Sequence, residues 1–208
     1  MVDSDARSLV AANYSGQVIL VMRNLLKQRY PGVGKHVNRV ARLCETIAPE
    51  VGLPDDELEA LVEAASLHDI GKLSLPEPLL AKPVPLTEGE WTLMRQHTVI
   101  GEQILLAAGL RGKVLDFVRS SHERIDGAGY PAGLVGEEIP LGARIIAVCD
   151  AYDAMTSPRP YRPIPMSIGG ASLELLRGSG TQFDAAAVDA LCDLVLHESH
   201  PIWHGRRA

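Results

Sequence analysis

Aromatic side chains are scarce in this sequence: five Tyr, two Trp and two Phe make up 4% of its 208 residues. No long alternating β-branched runs appear either, which argues against sandwiches and barrels built from half-buried strands. Cysteine is equally sparse. Cys44, Cys149 and Cys192 stand far apart within apolar helical patterns, so they read as small core residues of a reducing compartment rather than a disulfide framework or a zinc knuckle. Long hydrophobic runs are missing too. VILVM at 18–22 is the longest aliphatic run near the N-terminus, far short of a membrane span or a signal h-region, and Asp3 and Asp5 precede it. A cytoplasmic protein with no membrane span is expected. Positive charge is in deficit: 20 Lys and Arg stand against 26 Asp and Glu, a formal net charge of −6. Binding duplex nucleic acid through its phosphates is therefore disfavoured as the main task, although a local basic cluster could hold a small anion.

With 46% hydrophobic residues, the chain is long enough for one full-sized core. Helix signals recur from end to end, so the expected fold class is all-α. A first helix is predicted from about Ser4 to Gln28, stopping before Tyr30-Pro31-Gly32. A second begins near His36, carries Val37, Val40, Cys44, Ile47 and Val51 on one face, and ends at Gly52. The third, capped by Asp55 or a neighbour, contains His68-Asp69 and is halted by Gly71. Residues 74–86 hold four prolines and read as a loop or single turns. Thr87-Glu88-Gly89-Glu90 has the form of a capping box and opens a helix through Trp91, Met94, His97, Ile104 and Leu105. A fifth helix spans Lys113 to His122, followed by the Gly/Pro-punctuated loop 126–140, of a length usual in functional loops. Pro140 opens the most hydrophobic helix, ARIIAVCDAYDAM. Beyond the SPRPYRP turn come two more, with Asp184 as cap of the last.

Apolar stripes on these helices run into residues that can ligate metal. Leu61 and Ala65 continue onto His68, and Val62 and Ala65 onto Asp69, where aliphatic side chains would be expected. His36 opens the second helix. His97 lies between Met94 and Gly101, whose missing side chain leaves room beside the ring. His122 follows Leu115 and Val118, and Asp150 follows Ala143 and Ile146. One such residue alone is usually a hydrogen-bonded core group, but several together suit a centre of imidazole and carboxylate ligands for iron, manganese or zinc. Asp69 has two oxygens and can bridge two ions, as in two-metal hydrolytic centres. Lys72, one turn on, could protonate or neutralise a leaving phosphate oxygen, or simply sit as a cation at a helix C-terminus.

In the order His36-x-x-Arg39-Val40, His68-Asp69-Ile70-Gly71-Lys72, His97, His122-Glu123 and Asp126-Gly127-Ala128-Gly129-Tyr130-Pro131, continuing through GEEIPLGARIIAVCDAYDAMTS, RPYR and GTQFD, the sequence resembles the HD-GYP family of metal-dependent phosphodiesterases over residues 30–190. The resemblance implies an all-α HD-superfamily helical bundle with additional C-terminal helices and a GYP loop, in a domain spanning 31–208. Residues 1–30 would form a helix packed on that domain or in an oligomer interface. It implies hydrolysis of cyclic di-GMP to pGpG or GMP with two divalent ions, iron or manganese, one held by His36, His68, Asp69 and Asp150 and the other by Asp69, His97 and His122. Asp69 and Lys72 would be catalytic. Gly129, Tyr130 and Pro131 of the loop and Arg159 and Arg162 of the RPYR turn would face substrate.

Where the family has His-His-Glu, this chain has Ser121-His122-Glu123, which removes an imidazole from the second ion. Gly32 stands where members with a third metal place Glu, so no third ion is expected. Glu123 and Asp126 would orient the loop, and Asp153 would support a ligand from outside. Two alternatives stand beside the enzyme: an HD phosphohydrolase acting on another nucleotide, and a weakly active module that binds cyclic di-GMP or a signalling partner such as a diguanylate cyclase or a receiver or sensor protein. Input would come from such a partner chain or from homodimerisation.

Overall fold

The computed structural model describes residues 17–29, 31–158 and 164–198. Within them every regular element is helical, and β pairing is confined to two isolated bridges, Asp126 with Val135 and Ser179 with Phe183. The helices are α1 (17–29), α2 (Pro31–Val51), α3 (Leu58–Leu67), α4 (Glu77–Leu80), α5 (Glu88–Arg95), α6 (His97–Ala107), α7 (Lys113–Ser120), α8 (Leu141–Thr156), α9 (Ile168–Gly178) and α10 (Ala185–Glu198). No helix among the described residues is long and apolar enough to cross a membrane.

The bundle is organised around α2, α3 and α8. In α8, Ala143, Ile145, Ile146, Val148 and Cys149 have no solvent exposure, as expected of a helix apolar almost all round. α2 lays Val40, Cys44, Ile47 and Ala48 against it, and α3 adds Leu61, Ala64, Ala65 and Leu67. α7 packs on α3 and α6, while α9 and α10 close the far side of α8. Ile19 and Leu26 of α1 join the same core. All three cysteines are free and buried within it.

Several boundaries differ from expectation, and each difference bears on the site. α2 begins at Pro31 rather than near His36, because proline's fixed φ and absent N–H suit a first helical turn. His36 thus lies inside a helix, not at its edge. α3 ends at Leu67, so His68 and Asp69 leave the helix and enter a 3-10 turn at Ile70–Ser74. Asp55 lies in a preceding 3-10 turn and makes no side-chain cap. Gly71 does not halt the helix; it is a point of close approach. A Cβ placed there would come within 1.9 Å of the His97 carbonyl oxygen. The space beside Gly101 is filled by this same turn, with the Gly71 nitrogen 3.4 Å from where a Cβ would lie. The helix expected through Leu105 is two helices, divided at Gln96, while the Thr87–Glu90 capping box is present as expected. Asp184 caps α10 through the Ala187 N–H at 3.0 Å. The expected helix residues before 17 lie outside the described residues.

Candidate metal centre

The side chains of His36, His68, Asp69, His97, His122 and Asp150 converge at one end of the bundle. Two triads, His36-His68-Asp69 and Asp69-His97-His122, each present ligand atoms within 4.8 Å of one another, and Asp69 belongs to both. Four of these residues sit at element ends, with His68 and Asp69 just past α3, His97 at the start of α6 and His122 just past α7, while His36 and Asp150 project from inside α2 and α8. His36, His68, Asp69 and His97 are buried, so the cluster is walled in by the aliphatic core.

Hydrogen bonds fix how each ring faces. The Nδ1 of His68 lies 2.8 Å from the Ala65 carbonyl and that of His97 lies 2.7 Å from the Met94 carbonyl. A carbonyl only accepts, so both Nδ1 atoms carry the proton and both Nε2 atoms turn a lone pair to the centre. The Nε2 atoms of His68, His97 and His122 and the Oδ1 of Asp69 are buried with no hydrogen-bond partner. A buried polar atom without a partner costs a few kcal/mol. These four atoms belong to the two triads that share Asp69, and their imidazole and carboxylate donors fit divalent metal. Lys72 Nζ comes within 2.6 Å of Asp69 Oδ1 as an ion pair but lacks hydrogen-bond alignment.

His36 is different. Its Nε2 is 3.1 Å from Asp150 Oδ1, and its Nδ1 is 2.6 Å from Asp153 Oδ2, which also takes hydrogen bonds from Arg39. Burial would lower its pKa, but the bonds to Asp150 and Asp153 outweigh burial and raise it to about 9. Burial also holds His97 down to about 3, helped by the neighbouring His122 and Lys72, and holds His122 down to about 4 against the pull of the Asp150 carboxylate. Burial opposes ionisation of Asp69 and Asp150 as well. The surrounding Lys72 and histidines prevail at Asp69, and the His36 bond and neighbouring histidines at Asp150, so both stay well below the usual carboxylate range. Anionic carboxylates and neutral imidazoles at His97 and His122 are the protonation states that ligate metal.

The loop over the centre is held by Glu123. Its buried carboxylate accepts from the backbone N–H groups of Ala132, Gly133 and Leu134 at 2.7–3.2 Å. Asp126 accepts from Arg124 and from the Ala128 N–H. Gly129 passes so close to Glu123 and Arg124 that a Cβ would lie 2.4–2.6 Å from their backbone atoms, which excludes any other residue. The next peptide, Tyr130-Pro131, is cis. Tyr130 stacks on His122 with ring centroids 5.2 Å apart and a 17° interplanar angle. Burial and the carboxylates of Asp69 and Asp150 push its phenol pKa up, so it faces the centre neutral.

Ser121 is fully buried and its hydroxyl donates to the Val118 carbonyl at 2.9 Å, a backbone bond of the α7 terminus. Arg159 and Arg162 lie outside the described residues. Two cleft residues stand outside the site expected from the sequence, Trp91 and Arg95 of α5. A tryptophan among only nine aromatic residues was the available signal. Trp91, His122, Tyr130 and Asp150 border both of two adjoining cavities, about 290 Å³ and about 710 Å³ in volume.

A model of the HD domain family matches residues 20–187. Among curated proteins, the chain is 38% identical over 170 residues to the cyclic di-GMP phosphodiesterase response regulator RpfG of Xanthomonas campestris pv. campestris, covering 80% of this chain and 44% of that one. It is 33% identical over 181 residues to the 3'3'-cGAMP-specific phosphodiesterase 2 of Vibrio cholerae, covering 86% of this chain and 34% of the relative. The chain thus spans less than half the length of either relative. Among solved structures, the HDG"Y"P protein Bd1817 of Bdellovibrio bacteriovorus superposes with a TM-score of 0.65 at 20% identity, over 79% of this chain and 52% of its own.

Proposed function

This chain belongs to the HD domain family, and on that premise we propose that it is a metal-dependent phosphodiesterase that hydrolyses cyclic di-GMP to pGpG or GMP in second-messenger signalling. The observation that carries the reading is the convergence of the bare His68, His97 and His122 nitrogens and the Asp69 oxygen on two triads with one shared carboxylate. His36, His68, Asp69 and Asp150 would hold one ion and Asp69, His97 and His122 the other, with iron or manganese suited to this mixed ligand set. Ions bound there would supply Lewis-acid polarisation of the scissile phosphate and of the attacking water.

The chain's own residues do the rest. Asp153 and Arg39 brace His36 from outside, while the Ala65 and Met94 carbonyls fix the tautomers of His68 and His97. Lys72, a quarter exposed beside Asp69, carries a proton to the edge of the cleft where the leaving oxygen would depart. Tyr130, neutral and stacked on His122, offers a hydroxyl to the phosphate.

A second reading, a module that binds the cyclic dinucleotide without cleaving it, is favoured by Ser121, whose hydroxyl is committed to Val118 and completes no ligand set. Anaerobic reconstitution with Fe(II) or Mn(II), product chromatography and metal counts per chain separate the two. Accumulating pGpG or GMP with close to two metals supports the enzyme, and Asp69→Ala should abolish turnover with the helical signal kept. Intact nucleotide under every metal would leave the binding module. Running 3'3'-cGAMP alongside decides between the substrates named for the two relatives.

A further inference from the structure

We propose that Trp91 and Arg95 of α5 are substrate-recognition residues: Trp91 carries a purine base of the cyclic dinucleotide at the divide between the two cavities, and Arg95 pairs with the phosphate that is not being cleaved. The proposal rests on the reading of a cyclic dinucleotide as ligand.

The two residues are one helical turn apart and so share a face of α5, the face turned to the metal centre. Trp91 is 41% exposed although it borders both cavities. An indole left that open in a chain with nine aromatic residues contributes little to the core, but it is a ready stacking surface for a base, whose π-face any aromatic ring can receive. The ligand's shape suits the arrangement. A cyclic dinucleotide has two nucleoside halves on one phosphate ring, and His122 and Asp150 of the centre border both a larger lobe, which also holds His36 and His97 and is walled by Pro83, Val84, Pro85 and Leu86, and a smaller one under the 126–140 loop. A base at the divide leaves a lobe on either side for the remainder.

Arg95 has the other half of the task. Lys72 is paired with Asp69, Lys82 with Glu90 and Arg124 with Asp126. Arg95 has no ion pair among the described residues; its guanidinium carbon stands 6.0 Å from the Tyr130 ring centre, at the rim of the smaller lobe. A guanidinium poised on an aromatic face with its donors free is matched to a phosphate, which it can bind with two parallel hydrogen bonds. The cleft needs such a cation, because the chain as a whole is acidic and would repel a dianion.

The test uses the full chain with Trp203→Phe, so that Trp91 is the fluorescent reporter. Affinity for cyclic di-GMP is read from indole quenching in EDTA-treated and Mn(II)-loaded protein, with hydrolysis followed in parallel. Saturable quenching is expected. Trp91→Ala and Arg95→Ala should each weaken affinity and raise KM tenfold or more, at wild-type metal content and melting temperature, and Trp91→Phe should recover most of the loss at that position. Arg95→Lys should recover less, since an ammonium cannot fork a phosphate. For the alanine variants affinity is read by titration calorimetry. If both bind and turn over like the parent, the proposal falls and the phosphodiesterase reading stands. If the parent binds without cleaving and the variants lose affinity, the proposal stands and the phosphodiesterase reading falls. A parent that neither binds nor cleaves overturns both.

Discussion

At the scale of single residues, the protonation of the clustered histidines gives the metal-free protein a distinctive pH profile. His97 and His122 are held to about 3 and about 4, whereas in the unfolded chain both titrate near 6.5. Below pH 6.5 the unfolded state takes up protons that the folded state refuses, so stability falls with acidification, by up to roughly 1.4 kcal/mol per pH unit for each histidine. His36 has the opposite sign. Its folded pKa is raised to about 9, so its contribution is fully present below 6.5 and is lost as pH rises through 9. EDTA-treated protein melted from pH 4 to 10 should therefore be most stable at about pH 6.5; a flat profile would contradict these environments. Glycine gives a second contrast. Gly71→Ala would drive a methyl into the His97 carbonyl and should cost at least about 3 kcal/mol in denaturant titrations. Gly89→Ala meets nothing within 4 Å in α5 and should stabilise by about 0.4–1 kcal/mol.

At the scale of elements, the Glu123 carboxylate substitutes for a strand partner to the 132–134 backbone. Glu123→Gln puts an amide group against N–H donors, so the loop should loosen: hydrogen exchange at Ala132, Gly133 and Leu134 should rise, with a tenfold or greater loss of kcat/KM at unchanged metal content. Unchanged exchange would show that the loop is held otherwise. Ser121→His, at the end of α7, should raise metal content per chain, and no rise would show that the serine is not what limits the second ion. The residues that converge in the centre were legible because His68, Asp69, His97, His122 and Asp150 ended apolar stripes, and burying a polar group leaves a mark in the pattern. Element ends were less so. Arg95-Gln96-His97 contains only ordinary helix formers, and nothing local announces the break that makes His97 the first residue of α6. That break accompanies the packing of α6 on the Ile70–Ser74 turn, a contact between segments distant in the chain. Gly71 looked like a helix stop for the same reason: a glycine required by close approach and one required by a terminus are the same letter.

At the scale of the whole molecule, the centre joins parts of the chain that are otherwise held by separate contacts. His36 comes from α2, His68 and Asp69 follow α3, His97 opens α6, His122 follows α7, and Asp150 belongs to α8. An ion held by side chains gathered from so many elements would bind the folded chain and not the unfolded one, so loading should act as a global stabiliser. At a hundredfold excess of metal over its Kd the gain is about 2.7 kcal/mol, which for a chain of this size raises the melting temperature by about 5–11 °C. Calorimetry before and after EDTA treatment checks it, and His68→Ala should abolish most of the difference.

The four unsatisfied ligand atoms carry this beyond chemistry, into how long a molecule survives. Without ions each copy keeps an unmet polar demand at the end of its core, and its unfolded fraction is correspondingly larger. Quality-control proteases draw on that fraction. A shortage of metal would thus do more than idle the protein: it would shorten its lifetime, so that the number of copies, and not just their occupancy, follows the ion supply of the cell.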